Sequence, residues 1–145
     1  MIKKILVTGG SGFIGSAITK YLVSCGHKVV VFDNNSRGRI RRLKNIKNKI
    51  NFYKGDIRDF KKLNSIPGKF DCVIHLAYVN GTKHFYKKPF EILDIAVGGL
   101  LNILKFCKSK KVNSFYLASS SEVYQNPNKF PTDEKEMLKI PDIHN

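Results

Sequence analysis

Near the end of the chain, Ser119-Ser120-Ser121-Glu122-Val123-Tyr124 sets three hydroxyls and a carboxylate directly after a short apolar run. Hydroxyls that hydrogen-bond a substrate alcohol and a carboxylate that exchanges a proton are the parts of an acid–base site, and here they make half of one. Two plainer readings stand beside this. Serines at a strand end also cap main-chain groups, and Glu122 also serves as a strand-end carboxylate bonded to backbone N–H groups. At the other end, Thr8-Gly9-Gly10-Ser11-Gly12-Phe13-Ile14-Gly15 spaces Gly9, Gly12 and Gly15 three apart after another apolar run. Such glycines allow a tight turn out of a strand, backbone close to a pyrophosphate, and close packing of helix on strand. The helix after them directs free N–H groups and its positive dipole end at phosphates. Asp33 lies 18 residues after Gly15, at the end of the second apolar run, where a carboxylate accepts hydrogen bonds from an adenosine ribose diol and repels a 2′-phosphate. The cofactor expected is NAD before NADP, with Arg37 keeping the NADP alternative open.

Positioning these groups requires alternating strands and helices. Five apolar runs, at 5–7, 29–32, 50–53, 72–76 and 115–118, are separated by helical or loop segments, the pattern of an α/β fold with a parallel sheet. Between the first two, Phe13, Ile14, Ala17, Ile18, Tyr21 and Leu22 fall at helical spacing, and Gly26 stops the helix. A longer helix is predicted from Pro89 to about Ser109, with Ile92, Leu93, Ala96, Leu100, Ile103, Leu104 and Cys107 as its apolar stripe. Gly98-Gly99 in its middle points to a close backbone contact. Residues 35–49 are basic and weakly patterned, a surface loop and a short helix.

At 145 residues the chain is one domain at most, over residues 1–145, and is expected to be an incomplete one that lacks a substrate lobe. A net charge of +15 invites a nucleic-acid reading, but 21 of the 26 basic residues are Lys, scattered over helix faces and turns, and only five are Arg. Arg is the residue that reads bases and grips phosphates in pairs of bonds, so no nucleic-acid partner is expected. No apolar run spans a bilayer and the first residues make no signal peptide, so a cytoplasmic protein without a membrane partner is expected. Cys25, Cys72 and Cys107 lie far apart inside apolar segments and read as buried thiols, with no metal site.

Several of these pieces resemble the extended short-chain dehydrogenase/reductase family, the NAD-dependent sugar-nucleotide epimerases and dehydratases. The first turn does so by its spacing. Gly55-Asp56-Ile57-Arg58 is similar to the family's segment after the third strand, His75-Leu76-Ala77-Tyr78 to the segment after the fourth, and Ser119 to Tyr124 to the motif after the fifth. Pro131-Thr132-Asp133-Glu134 is similar to a P-x-x-E that commonly comes next, and the matches are collinear from residue 1 to about 134. The resemblance implies a Rossmann-type doubly wound parallel sheet, truncated after its fifth strand. It implies a cofactor-binding set of Gly9, Gly12, Phe13, Ile14, Gly15, Asp33, Asn34, Asp56, Ile57, Leu76, Ala77, Tyr78 and Ser119, with Asp56 facing the adenine amino group. Ser120, four residues before Tyr124, takes the catalytic position that binds the reacting sugar hydroxyl, and Glu122 matches a carboxylate that dehydratases and decarboxylases use in a second step. Thr132-Asp133-Glu134 looks like a dehydratase triad as a string but lacks a V-Y after it. The sequence departs from the family at Ala96, where many members have Asn, and at Tyr78, where Ala is commoner.

The family's proton acceptor is a Tyr in Y-x-x-x-K, and none of the six tyrosines has a Lys four residues on. The motif is expected about 25 to 30 residues after Ser120, at or just past the end of the chain. The expectation is therefore the front part of a nucleotide-sugar epimerase/dehydratase, inactive by itself, with a non-catalytic NAD-binding module or a decarboxylase of the same family as alternatives. The partners implied are a nucleotide sugar in the complete enzyme, and a second copy paired through the helix from Pro89 or a complementing C-terminal chain on an open fifth strand.

Overall fold

The computed structural model describes residues 1–79 and 81–139. Five parallel strands, β1 (Lys4–Thr8), β2 (Lys28–Asp33), β3 (Ile50–Lys54), β4 (Cys72–His75) and β5 (Ser114–Leu117), form one sheet in the order β3-β2-β1-β4-β5. Period-two alternation sorts their side chains between two faces. Leu6, Val30, Phe32 and Val73 enter one core with Leu63, Ile103 and Phe106. Ile5, Val7, Val29, Val31 and Cys72 enter the other with Leu43. Helices therefore cover both faces, and the strands can be apolar along nearly their whole length. On the first face lie α2 (Phe60–Asn64) and α5 (Gly99–Lys110), with α3 (Thr82–Lys87) and α4 (Pro89–Leu93) leading into α5; on the second lie α1 (Phe13–Ser24) and a 3₁₀ segment, Ile40–Lys49.

Three expectations are corrected. In α1 the buried residues are Gly15, Ser16 and Thr19, while Phe13, Ile14 and Tyr21 are exposed. The helix turns its small residues inward because it packs against the glycine loop, where a wider side chain has no room. The helix predicted from Pro89 is interrupted by a π turn over Asp94–Gly98, which widens one turn and shifts the register of α5 beyond it. Its buried face is Ile92, Ile95, Gly99, Ile103 and Phe106, and Leu93 and Leu104 face outward. Gly99 does make the close contact expected of the glycine pair: a Cβ there would run into the Ile57 side chain. Of the three thiols only Cys72 is buried, Cys25 being exposed and Cys107 half-buried with its pKa raised by burial.

The strand order reverses between β1 and β4, so their carboxyl ends open a crevice between diverging connections. In that crevice lie the loop after β1 and the segment after β4.

Candidate functional site

The loop after β1 is built on glycine. Gly9 has φ of +71°, donates its N–H to the Phe32 carbonyl at 3.0 Å, and lies so near the segment after β4 that a Cβ would sit 2.8 Å from the Ala77 nitrogen. Gly15 presses on the same turn, and a Cβ on it would collide with the Gly9 carbonyl oxygen. Gly12 occupies the N-cap of α1, leaving the N–H groups of the first turn without intrahelical partners. The result is a cradle of bare backbone at a helix N-terminus, the arrangement that suits a pyrophosphate.

Asp33 ends β2 with its side chain buried, 6% exposed. Oδ2 accepts the Ser11 N–H at 2.9 Å and Oδ1 the Asn35 N–H at 2.7 Å. A carboxylate offers about four lone-pair positions, so with one main-chain bond to each oxygen among the described residues, two remain for a vicinal diol. The loop beyond Asp33 is tied back to the glycine turn. Ser11 Oγ donates to Asn35 Oδ1 at 2.8 Å, and its carbonyl accepts from the Arg39 N–H at 3.0 Å and from Arg42 Nη1 at 3.2 Å. Gly38 fits only because it has no side chain, since a Cβ would strike Ser11 Oγ.

On the turn after β3, Asp56 is held by Arg58. Oδ1 accepts the Arg58 N–H at 2.9 Å and Nε at 3.0 Å, and Oδ2 accepts Nη2 at 3.0 Å and Asn34 Nδ2 at 3.0 Å. The bonds from the Arg58 side chain do most to hold the Asp56 carboxyl down at about 2, against a smaller opposing effect of burial. Arg58 reaches on to Asp94 at 3.2 Å, which joins this turn to the π turn.

The segment after β4 is positioned from beneath. Thr8 Oγ1 accepts the N–H groups of Leu76 and Ala77 at 3.2 and 3.3 Å and hydrogen-bonds His75 Nδ1 at 2.6 Å. Burial holds the imidazole down at about 4, and it is neutral at ordinary pH.

An open cleft joins these pieces, lined by Gly9 and Gly12, by Phe32, Asp33 and Asn34, by Ser36, Arg37 and Gly38, by Gly55, Asp56 and Ile57, by Leu76 to Val79, and by Ile95. It gathers most of the residues expected to face a cofactor. Phe13, Ile14, Gly15 and Ser119 are not in its wall: Phe13 and Ile14 are exposed at the start of α1, Gly15 is buried behind the loop, and Ser119 is exposed after β5. Sequence reasoning did not single out Ser36, Gly38, Val79 and Ile95 in the wall, or Thr8, Ser11 and Arg58 behind it. Of these only Arg58 carried a local signal, a guanidinium two residues from a carboxylate. The others come to the cleft through loops whose path the sequence does not announce.

Parallel pairing sets His75 opposite Leu117, so the residues after β4 and β5 leave neighbouring strand ends, and the Ala118 N–H reaches the His75 carbonyl at 3.2 Å. Ser120 is the N-cap of a 3₁₀ turn, Ser121–Tyr124, and accepts the Glu122 N–H at 3.3 Å. This is the capping role of the plainer reading; both Ser120 and Glu122 nonetheless remain exposed. Asp133 is held in a surface turn, accepting the Lys135 N–H at 3.0 Å. Among the described residues no group of three or more His, Cys, Asp or Glu could hold a metal ion, and no helix is long and apolar enough to cross a membrane.

A doubly wound parallel sheet with a glycine turn at its switch point places the chain among the Rossmann-type α/β folds. The chain belongs to the NAD dependent epimerase/dehydratase family, whose sequence model matches residues 5–144. It is 38% identical over 139 residues to a UDP-glucose 4-epimerase of Neisseria meningitidis serogroup B, covering 92% of this chain and 41% of that protein. It is 36% identical over 125 residues to a UDP-N-acetyl-alpha-D-glucosaminuronate decarboxylase of Bacillus cytotoxicus, covering 86% of this chain and 38% of the other. The crystal structure of the Bifidobacterium longum UDP-glucose 4-epimerase in complex with NAD+ and UDP superposes with a TM-score of 0.86 at 30% identity, over 94% of this chain and 42% of that one. The chain thus spans about two fifths of the length of these relatives.

Proposed function

We propose that the chain binds NAD in the cleft and forms the cofactor half of an enzyme that transiently oxidises a hydroxyl of a nucleotide sugar. The observation that carries this reading is Asp33, a buried carboxylate fixed by the Ser11 and Asn35 N–H groups beside the glycine cradle, with capacity left for a ribose diol. The same carboxylate disfavours a ribose that bears a 2′-phosphate, which supports NAD over NADP. The pyrophosphate would lie on Gly9, Gly12 and the first turn of α1, and the adenine end between Asn34, Asp56 and Ile57. Leu76, Ala77 and Tyr78 would line the cofactor's other side.

Bound NAD supplies a hydride acceptor that returns the hydride after the sugar has reacted. The chain's own contribution is to orient. Ser120 Oγ, at the head of its turn, would hydrogen-bond the sugar hydroxyl and hold it for proton loss, which is entropic assistance more than acid–base chemistry. The 145 residues hold no Tyr with a Lys four positions on, so in this reading the proton acceptor comes from residues outside them. The exposed Glu122 carboxylate supports a second reading, in which it takes an α-proton from the keto sugar, or the keto sugar releases its carboxyl group as CO2 and takes up a proton in its place, the class of reaction named for the decarboxylase relative.

Titration calorimetry with NAD and NADP tests the cofactor reading. NAD is expected to bind more tightly than NADP, and Asp33→Ala is expected to lose at least tenfold in NAD affinity, about 1.4 kcal/mol or more. Equal affinity for the two dinucleotides, or an unaffected variant, would remove Asp33 from this role. A second assay offers UDP-sugars to the NAD-loaded protein and watches for reduced nicotinamide or an altered sugar.

A further inference from the structure

Asp33 and Asp56, the two carboxylates of the cleft, differ in their spare capacity. Asp33 has one main-chain donor on each oxygen, whereas Asp56 has two donors on each, and these four fill the lone-pair positions of a carboxylate, about four in all. Three of the four come from Arg58, which is itself braced by Asp94 at 3.2 Å. The fourth is a neutral amide, Asn34 Nδ2 at 3.0 Å, on an exposed residue. An amino group arriving at Asp56 must therefore displace a donor, and the charge-assisted fork of Arg58 holds more firmly than the single amide.

We propose that Asn34 is a specificity-determining gate at the adenine end of the cleft: its amide occupies the Asp56 lone pair that an exocyclic amino group would take, and it swings away when that group binds. This rests on the cofactor reading above. Asn34 is not free to turn without consequence. Its Oδ1 accepts the Ser36 N–H at 2.9 Å, so one amide latches both the carboxylate and the loop that carries Ser36 to Gly38 into the cleft wall. With the amide in place, a base bearing an oxo group where adenine has its amino group finds an N–H donor. With the amide gone, it faces a bare carboxylate oxygen. Asn34 thus narrows the difference between amino and oxo purines, and its removal widens it.

The test compares NAD with nicotinamide hypoxanthine dinucleotide, which carries the oxo group, by calorimetry on the purified protein and two variants. Asn34→Ser keeps an acceptor for the Ser36 N–H but is too short to reach Asp56. Asn34→Ala removes both bonds. The ratio of affinities, NAD over the hypoxanthine dinucleotide, is expected to rise fivefold or more in both variants, with NAD itself binding more tightly to the serine form. Circular dichroism shows whether each variant is folded, and because the readout is a ratio, a general loosening of the loop cancels. If both dinucleotides shift together, Asn34 acts only through the turn and the gate is refuted while the cofactor reading stands. If the unaltered protein binds NAD no better than it binds buffer, the cofactor reading fails and the gate with it.

Discussion

His75 and Asp56 carry opposite charges when ionised, yet acid weakens the contribution of each. A histidine whose folded pKa is depressed resists protonation in the native state but takes the proton when unfolded, so stability is full above about 6.5 and falls as pH drops toward about 4. With those two values the loss by pH 5 is about 2 kcal/mol. Asp56 behaves as a depressed carboxylate: its contribution is present above its ordinary pKa of 3.8 and is lost only as pH falls through about 2. The two windows barely overlap, so a denaturant titration repeated between pH 7 and pH 5 isolates His75. In His75→Asn, which keeps a hydrogen-bond partner for the Thr8 hydroxyl, the protein is expected to be weaker at pH 7 and its stability nearly flat over that interval. An unchanged slope would mean that another group titrates there.

At the scale of elements, the two contacts that helix glycines make with the loops after β1 and β3 differ in what can yield. A Cβ at Gly15 meets the Gly9 carbonyl, a piece of backbone in a turn already at φ of +71°, whereas a Cβ at Gly99 meets the end of the Ile57 side chain. Gly15→Ala is therefore expected to displace α1 from the loop, lowering the melting temperature and abolishing dinucleotide binding together. Gly99→Ala forces Ile57 to another rotamer and should cost about 1–3 kcal/mol, the usual range for overpacking. Because Ile57 lines the cleft, a modest loss of NAD affinity should accompany it. Thermal melting and calorimetry on the two variants separate the cases. If Gly99→Ala proves the more damaging, the Ile57 contact is the more rigid of the two.

At the scale of the whole molecule, two of the apolar surfaces exposed among the described residues bear on association. Phe90, Leu93, Val97, Leu101 and Leu104 run along one side of α4, the π turn and α5, with Val97 and Leu101 each about half exposed at 50% and 51%. β5 lies at the edge of the sheet with Tyr116 and Leu117 uncovered, an edge that invites pairing with another chain. Sedimentation of the purified chain is expected to show concentration-dependent association, reduced by the pair Val97→Glu and Leu101→Glu. A monodisperse, heat-stable monomer would contradict this. The charge of +15 opposes such association least at physiological salt, where repulsion between exposed charges more than about 8 Å apart is largely screened.

The alternation of apolar runs and glycines was enough to specify the parallel sheet, the glycine turn and Asp33, because each depends on residues close in sequence: a strand, the turn out of it, and the residue that ends the next strand. The same locality made Ser120 and Glu122 visible as a motif. Tertiary structure alone decided which face of α1 is buried, since the packing of Gly15 on Gly9 outweighs the burial of Phe13 and Ile14. It also decided that Gly99 answers Ile57, 42 positions away, and that the π turn moves Ile95 and Phe106 inward. The filling of Asp56 was hidden for the same reason. Asn34 lies 22 residues before it and Asp94 36 residues after Arg58, and only the folding of three separate turns onto one cleft brings those side chains within hydrogen-bond reach.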